Sequence, residues 1–413
     1  MLKHLYKLCW NQRGANGWIW AEMFIVSVIL WLIVDILYTN VHAYFLPMGN
    51  NTEEVYRIYF STRENSHTEE PEVTRENWIT ILDRVRTYPG VEHLSCSMHS
   101  VPYTWSFSSR PIQTDTLHKS FAQIRTVSPE FFQVFQCTAE GQSSESLASL
   151  FQDPRACIIA PQVVEDIFKE KSPIGQKLNV NENDPTDYLE VKAVMKYFRR
   201  AEFQNQNNFA FFAYTQPRML DGLNIGNVAN IEVCVRVSPQ VAEGFEQRFT
   251  KEMSRGLRVG NIYMMNVKSF SNLKKLYNRP QMNGIKQMGA ITLFLLINLF
   301  MGIVGTFWIR TQSRKSEMGL RVAMGSTRKD LIALLIGEGM VLLLISFIPT
   351  IAIGLNLGLS EMINIELMPF TATRFLITQS VSLVLMATMI GIGILIPTYQ
   401  YTKLQPAEAL RYE

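Results

Sequence analysis

Five cysteines and six histidines are the side chains best suited to nucleophilic or metal chemistry in this 413-residue chain, and their spacing supports neither. Cys96, Cys137, Cys157 and Cys234 form no C-x-x-C pair of the kind that holds zinc or exchanges thiols, and the histidines are scattered without ligand spacing. In an oxidising compartment the four cysteines allow two disulfides in three pairings; four buried thiols satisfy the sequence equally well, and Cys9 stands apart from them. No G-x-x-x-x-G-K-[ST], H-E-x-x-H or G-x-S-x-G occurs. The nearest imitation of a phosphate loop, GSTRKD from Gly325, lacks the second glycine and the Lys-Ser/Thr pair. The sequence therefore predicts a non-catalytic chain with no cofactor and no metal of its own.

What the sequence does carry is charge placed around apolar runs. Four stretches, 18–38, 285–309, 332–357 and 375–398, are each long enough to cross a bilayer as helix, which takes about 20 residues. The first is followed by PMGNNTEE with no small-residue cleavage site, so it reads as an uncleaved anchor rather than a signal peptide. Lys3, Lys7 and Arg13 precede it, six Lys or Arg crowd 310–331, and Lys403 and Arg411 lie in the tail. The bias of basic residues toward the cytoplasmic side places all three segments inside. SEMINIELMPFTAT, between the third and fourth spans, has Glu361 and Glu366 and no base, as an outer loop should.

Residues 47–267 then form one large extracytoplasmic domain between spans one and two. Its β-type runs (VYRIYF, ACIIAP, YLEVKAVM, FAFFAY, IEVCVRV) alternate with helical ones (ENWITILDRVRTY, PQVVEDIFKEK, PQVAEGFEQRFTKEMSRGL), which predicts a mixed α/β fold. The expected fold class is an α-helical membrane protein with four transmembrane helices and this single outer domain. Residues 1–17 are expected as an interfacial helix, 39–46 and 268–284 as stalks, 310–331 as a cytoplasmic segment and 399–413 as a cytoplasmic tail.

The segment RTQSRKSEMGLRVAMGSTRKDL, residues 310–331, reads as a short capped helix. Ser316 is a suitable N-cap, Glu317 sits in the first turn where the helix dipole favours an anion, and Gly325 suits the left-handed C′ position. Ser326 is then expected to cap the next helix, with Asp330 in its first turn. About nine helical residues give a lever about 13 Å long. Met318, Val322 and Met324 offer apolar contacts, ringed by Arg314, Lys315, Arg321 and Arg328. A loop that only enforces topology and touches anionic lipid needs the charge but not the caps.

Within the spans, Glu22 and Glu338 lie within a turn or two of the inner interface and Asp35 lies near the outer end of the first. Charges in lipid are expensive, so each is a candidate for a bundle contact or for transmission of motion, with snorkelling to headgroups the simpler role for the two glutamates. Gly354 and Gly358 form a G-x-x-x-G that permits close approach of another helix, and Pro349 is expected to kink the same span.

These residues resemble the MacB/FtsX-like family of ABC-transporter permeases. Glu317, Gly319, Arg321, Ala323, Gly325 and Glu338 match its pattern between spans two and three position by position, and QPAEALRYE matches its ending through Pro406, Ala409, Leu410, Arg411 and Glu413. In the outer domain TVSPEFFQVFQCTAEGQ and CIIAPQVVEDIFKEKSPIGQKL are similar to family segments, with Gly175 in place and Gln136-Cys137 where a glycine is usual.

The resemblance implies a permease working as a dimer with a second, identical or different, permease chain. Glu317, Gly319, Arg321, Ala323, Gly325 and Arg328 would dock a cytoplasmic ABC ATPase carried on a separate chain, which supplies the ATP and magnesium. It implies transmission of ATP-driven motion to the outer domain, for export or extraction of a peptide, lipid, lipoprotein or drug. An FtsX-like signalling role, activating an extracytoplasmic partner such as a cell-wall hydrolase, is the alternative. It places the chain in the bacterial inner membrane in contact with lipid, leaves room for a periplasmic adaptor or outer-membrane channel, and involves no nucleic acid.

Overall fold

The structure, a computed structural model, describes residues 13–63, 70–114, 118–169, 171–180, 187–204, 208–224, 226–313, 320–321 and 324–401. The chain divides into two compact units: Phe45–Pro280, and the flanking residues up to Tyr44 and from Gln281 onward. The helices that matter below are α1 (Arg13–Phe45), α2 (Pro71–Arg86), α3 (Phe131–Val134), α4 (Phe245–Met253), α5 (Phe270–Ser313), α6 (Arg328–Leu359) and α7 (Ala372–Tyr401). The strands are β1 (Val55–Thr62), β2 (Val91–Met98), β3 (Ser108–Gln113), β4 (Lys119–Val127), β5 (Ala156–Ile159), β6 (Lys177–Asn179), β7 (Tyr188–Val194), β8 (Phe209–Ala213), β9 (Glu232–Val237), β10 (Arg258–Val259) and β11 (Ile262–Ser269).

The unit Phe45–Pro280 is built on an 11-stranded sheet in the order β10-β11-β1-β9-β2-β4-β3-β6-β7-β5-β8. A further parallel ladder, Gln123–Val127 against Phe209–Ala213, joins β8 back to β4. That ladder closes β4, β3, β6, β7, β5 and β8 into a ring, while β10, β11, β1, β9 and β2 continue as an open antiparallel sheet. Short pairings of Ser97 with Val127 and Met98 with Thr126 link the two parts.

Each part has its own core. In the ring, β8 is buried along its whole length, so FAFFA reads as a continuous apolar run and not as an alternating strand. Phe131 and Phe132 of α3 pack with Phe198 and Phe211, the last two edge to face at 5.0 Å. Over the open sheet, α2 turns Trp78, Ile81, Leu82 and Val85 inward, the i, i+3, i+4, i+7 stripe of an amphipathic helix. Trp78 meets Phe60 at 5.3 Å, and Phe245 of α4 meets Tyr56 at 4.6 Å.

Several expectations change in detail. PQVAEGFEQRFTKEMSRGL is two helices, because Gly244 adopts the left-handed conformation (φ +68°) and separates Pro239–Ala242 from α4. Gln136, where the resemblance leads one to expect glycine, takes φ +49°, the left-handed conformation that favours glycine. Lys268 and Ser269 end β11 rather than starting a stalk, and α5 then runs unbroken for 44 residues through Pro280. The unit Phe45–Pro280 takes in Lys268 and Ser269. Cys96, Cys137, Cys157 and Cys234 are free and buried. Ser95 stands opposite Cys234 in the β2–β9 ladder, so neighbouring Cys96 and Cys234 face opposite sides of the sheet.

Among the described residues, four helical segments are long and apolar enough to cross a membrane: Gly17–Phe45, Phe270–Thr306, Lys329–Leu359 and Ala372–Leu395. Met23, Leu30 and Val34 of α1, Leu299 and Ile303 of α5, Leu342 and Phe347 of α6 and Met386 and Ile390 of α7 share one core. The G-x-x-x-G of α6 is used inside the chain: a Cβ on Gly354 would meet Gln379 at 2.8 Å and Phe375 at 3.1 Å, and one on Gly358 would meet the Phe370 ring at 2.2 Å. The N-terminal interfacial segment up to residue 12 and the tail from 402 lie outside the described residues.

Candidate functional site

One face of α1 is polar at helical spacing. Trp20, Ser27, Trp31 and Asp35 recur at i, i+7, i+11 and i+15, which places them along one stripe. The Ser346 hydroxyl of α6 donates to the Leu342 carbonyl of its own helix at 2.8 Å and lies 3.4 Å from the Trp20 carbonyl, and the Ser27 and Thr350 hydroxyls share a bond of 2.6 Å between helices. Trp31 Nε1 donates to Thr378 Oγ1 of α7 at 3.0 Å. Each such bond between membrane helices contributes on the order of 0.6–2 kcal/mol.

The stripe ends in an ion pair. Arg374, 0% exposed, donates from Nε to Asp35 Oδ1 at 2.9 Å and from Nη2 to Oδ2 at 2.5 Å, the fork geometry of a bidentate pair. Its remaining donors bind the turn before α7, Nη1 to the Met368 carbonyl at 2.5 Å and Nη2 to the Asn364 carbonyl at 3.1 Å. One guanidinium thus fastens α1, α7 and the α6–α7 turn together. The two glutamates differ from each other. Glu338 is 1% exposed in α6, whereas half-buried Glu22 fills the space that Gly302 of α5 leaves open, where a Cβ would lie 2.3 Å from its Oε1.

In the other unit, one short segment holds both the chain leaving α1 and the first turns of α5. The Arg199 backbone N–H donates to the Met48 carbonyl at 2.8 Å, and Arg199 Nη1 donates to the Leu46 carbonyl at 3.0 Å. Three residues on, Glu202 accepts from Lys274 Nζ at 2.6 Å, Asn278 Nδ2 at 2.6 Å and the Tyr103 hydroxyl at 2.8 Å. Gln204 Nε2 donates to the Tyr277 hydroxyl at 2.7 Å, and Trp105 packs on that ring at 4.4 Å. Burial alone would push the Glu202 carboxyl up; the bonds from Lys274, Asn278 and Tyr103 outweigh it and hold the group below its ordinary value. Burial lowers the pKa of Arg199.

Between α5 and α6 the described residues show how one helix ends and the next begins. Gly325 adopts φ +97°, and the Ser326 N–H reaches back to the Arg321 carbonyl at 2.9 Å, the closing bond of a Schellman cap. The next helix is capped by Thr327 rather than Ser326. The Thr327 hydroxyl accepts from the Asp330 N–H at 3.3 Å while Asp330 Oδ2 accepts from the Thr327 N–H at 2.9 Å, a reciprocal capping box.

Two family models together match most of the chain: a MacB-like periplasmic core domain over residues 25–275 and an FtsX-like permease C-terminal region over 289–406. The chain belongs to the MacB/FtsX family of ABC-transporter permeases. Curated relatives include the macrolide export ATP-binding/permease protein MacB of Bdellovibrio bacteriovorus, 26% identical over 62% of this chain and 38% of that protein. The protein of the same name in Acinetobacter baylyi is 23% identical over 77% of this chain and 47% of its own length. The chain therefore spans about a third to a half of the curated relatives it matches. Among solved structures, the periplasmic region of MacB from Actinobacillus actinomycetemcomitans is 12% identical, covering 56% of this chain and 95% of that one at a TM-score of 0.34.

Family membership makes this a membrane protein with an extracytoplasmic domain. Of the residues expected from sequence to dock a motor, Arg321 gives its carbonyl to the Schellman cap, Gly325 takes the left-handed position of that cap and Arg328 opens α6; Glu317, Gly319 and Ala323 lie outside the described residues, as does Ser316. Asp35 joins a partner that sequence reading passed over. Arg374 stands one residue before the apolar run from 375, and its signal was a lone base at a span end otherwise flanked by acids. Arg199 and Glu202 carried no local signal for this junction, since the partners that tie them to the α1 exit, to Tyr103 and to α5 lie 153, 99 and 72 to 76 positions away.

Proposed function

We propose that this chain is the permease subunit of an ABC transporter that carries ATP-driven motion from a cytoplasmic ATPase on a separate chain to the extracytoplasmic domain. ATP and magnesium belong to that ATPase, and this chain is non-catalytic. The observation that carries the reading is the Arg199–Glu202 segment, which grips both the exit from α1 and the start of α5. Motion along either helix enters the sheet through one polar junction, with Phe198 in the ring core directly beside it.

Two permease chains would work together, each docking one ATPase through the segment around Arg321 and Gly325, with both termini cytoplasmic. The transported material would be an amphipathic peptide, lipid, lipoprotein or drug, in keeping with the export named for the MacB relatives. The reading is tested by measuring turnover of the cognate ABC ATPase alone and with the full chain in lipid nanodiscs. The chain is expected to change the turnover rate, and Arg321→Ala to diminish that change. Equal turnover with and without the chain would count against it.

A further inference from the structure

A pocket of about 130 Å³ opens where the closed ring meets the open sheet, wholly inside the unit Phe45–Pro280. Its lining comes from α2, from β2, from the Ser128–Glu130 turn that leads into α3 and from the stretch Tyr214–Met219. Ligand sites occur preferentially at junctions between separately packed parts. The deep part is apolar: Leu82, Leu94, Cys96 and Met219 are 3% to 7% exposed. The Cys96 thiol, pushed up to about 12 by burial, carries no charge at neutral pH, and the Cys96 N–H is already taken by the Ser128 hydroxyl at 3.2 Å. Holding a water takes roughly two to four polar partners, so this floor favours a hydrocarbon group over water. Drug-sized sites measure roughly 300–1,000 Å³, so the pocket admits a single group the size of a side chain.

The rim carries the charge. Asp83 and Arg86, with side chains 61% and 56% exposed, offset each other across 3.3 Å. Glu130, half-buried at the start of α3, neither caps that helix nor pairs with a base among the described residues. Arg218 is not on the lining and turns Nη1 to the Ala213 carbonyl at 3.4 Å. One negative charge is therefore left over at the mouth of an apolar floor. Such a site repels anions and suits a cation that carries a hydrocarbon group. Among the described residues no three His, Cys, Asp or Glu side chains gather to hold a metal, so the cation that fits is organic.

We propose that this pocket binds a small organic ammonium, its short apolar group seated on Leu82, Leu94 and Met219 and its charged nitrogen at Glu130. The site depends neither on transport nor on a motor, so it stands or falls apart from the reading above.

The test titrates leucinamide, whose isobutyl group and ammonium share one carbon, onto the full chain in lipid nanodiscs, with binding read by saturation-transfer NMR against empty nanodiscs. Each buried methylene strengthens binding about fourfold, so glycinamide, which lacks the isobutyl group, should bind at least about tenfold more weakly. N-acetylleucine, with the same isobutyl group and a negative charge, should not bind. Glu130→Gln should weaken leucinamide about tenfold with thermal unfolding unchanged, and Glu130→Asp should keep most of the affinity. Glu130→Lys should turn the preference toward N-acetylleucine. Leucyl-glycinamide, extended beyond the carbonyl, separates the sources of such an ammonium: equal affinity assigns the pocket to peptide N-termini, and loss of affinity assigns it to free amines. Leucinamide no tighter than glycinamide, equal binding of leucinamide and N-acetylleucine, or undiminished binding by a folded Glu130→Gln variant would overturn the proposal.

Discussion

At the scale of single residues, the Asp35–Arg374 pair is the most consequential contact in the helical unit. Both side chains are buried, so removing one leaves the other charge without compensation, a loss of about 3–5 kcal/mol in buried pairs. Asp35→Ala is expected to lower the thermal stability of the full chain sharply. Asp35→Leu combined with Arg374→Leu should recover much of the loss; a double variant as unstable as the single one would show that the pair is not the cause. The cysteines give a second check at this scale. Burial raises all four thiols, Cys96 up to about 12, so thiolate is scarce at neutral pH. A thiol reagent should leave Cys96, Cys137, Cys157 and Cys234 unmodified in the folded chain and reach them on unfolding. Asp35 was legible because a charge inside an apolar run is conspicuous. The thiol state was not, because spacing says nothing of which face of a strand a cysteine takes.

At the scale of elements, the proposed passage of motion depends on caps and junctions. Gly325 at φ +97° admits a side chain only with strain, on the order of 1 kcal/mol for alanine. Gly325→Ala is therefore expected to weaken stimulation of the ATPase while leaving membrane insertion intact. Unaltered stimulation would remove the Schellman turn from the coupling path. At the soluble junction the sign of the Glu202 effect is fixed by its lowered carboxyl. A group depressed in the folded state stabilises fully above the ordinary carboxylate range, and that contribution is lost as pH falls through the native value. Between about pH 5 and pH 3 the parent should lose more thermal stability than Glu202→Gln. Equal losses would mean that Glu202 is not held as described. Elements with strong local signals were readable: α2 through its stripe, β8 through its unbroken apolar run, Gly325 through its place in the cap. β2, β3, β4 and β11 escaped because serines, histidine, arginines and lysines interrupt them and their pairing partners are far away in sequence.

For the whole molecule, the arrangement rests on which segments lie outside. With Cys9 replaced, single cysteines at exposed positions 110 and 119 should react with a membrane-impermeant reagent from outside, and one at 329 only after the membrane is opened. Labelling of 329 from outside would reverse the proposed orientation. Four spans and one outer α/β domain could be read from hydropathy and charge, whereas closure of the ring by β4 and β8 could not, because a parallel ladder between distant strands leaves no local trace. The central claim is that ATP hydrolysis on the inside moves the outer domains. It is tested most directly by spin labels at position 119 in a permease pair reconstituted with its ABC ATPase, reading the distance between labels without nucleotide and with ATP and vanadate. The account predicts that trapping nucleotide shifts the distance distribution, and that Glu202→Gln combined with Arg199→Gln diminishes the shift while ATP is still hydrolysed. A distribution that stays the same in every nucleotide state, in a preparation turning over ATP, would contradict it.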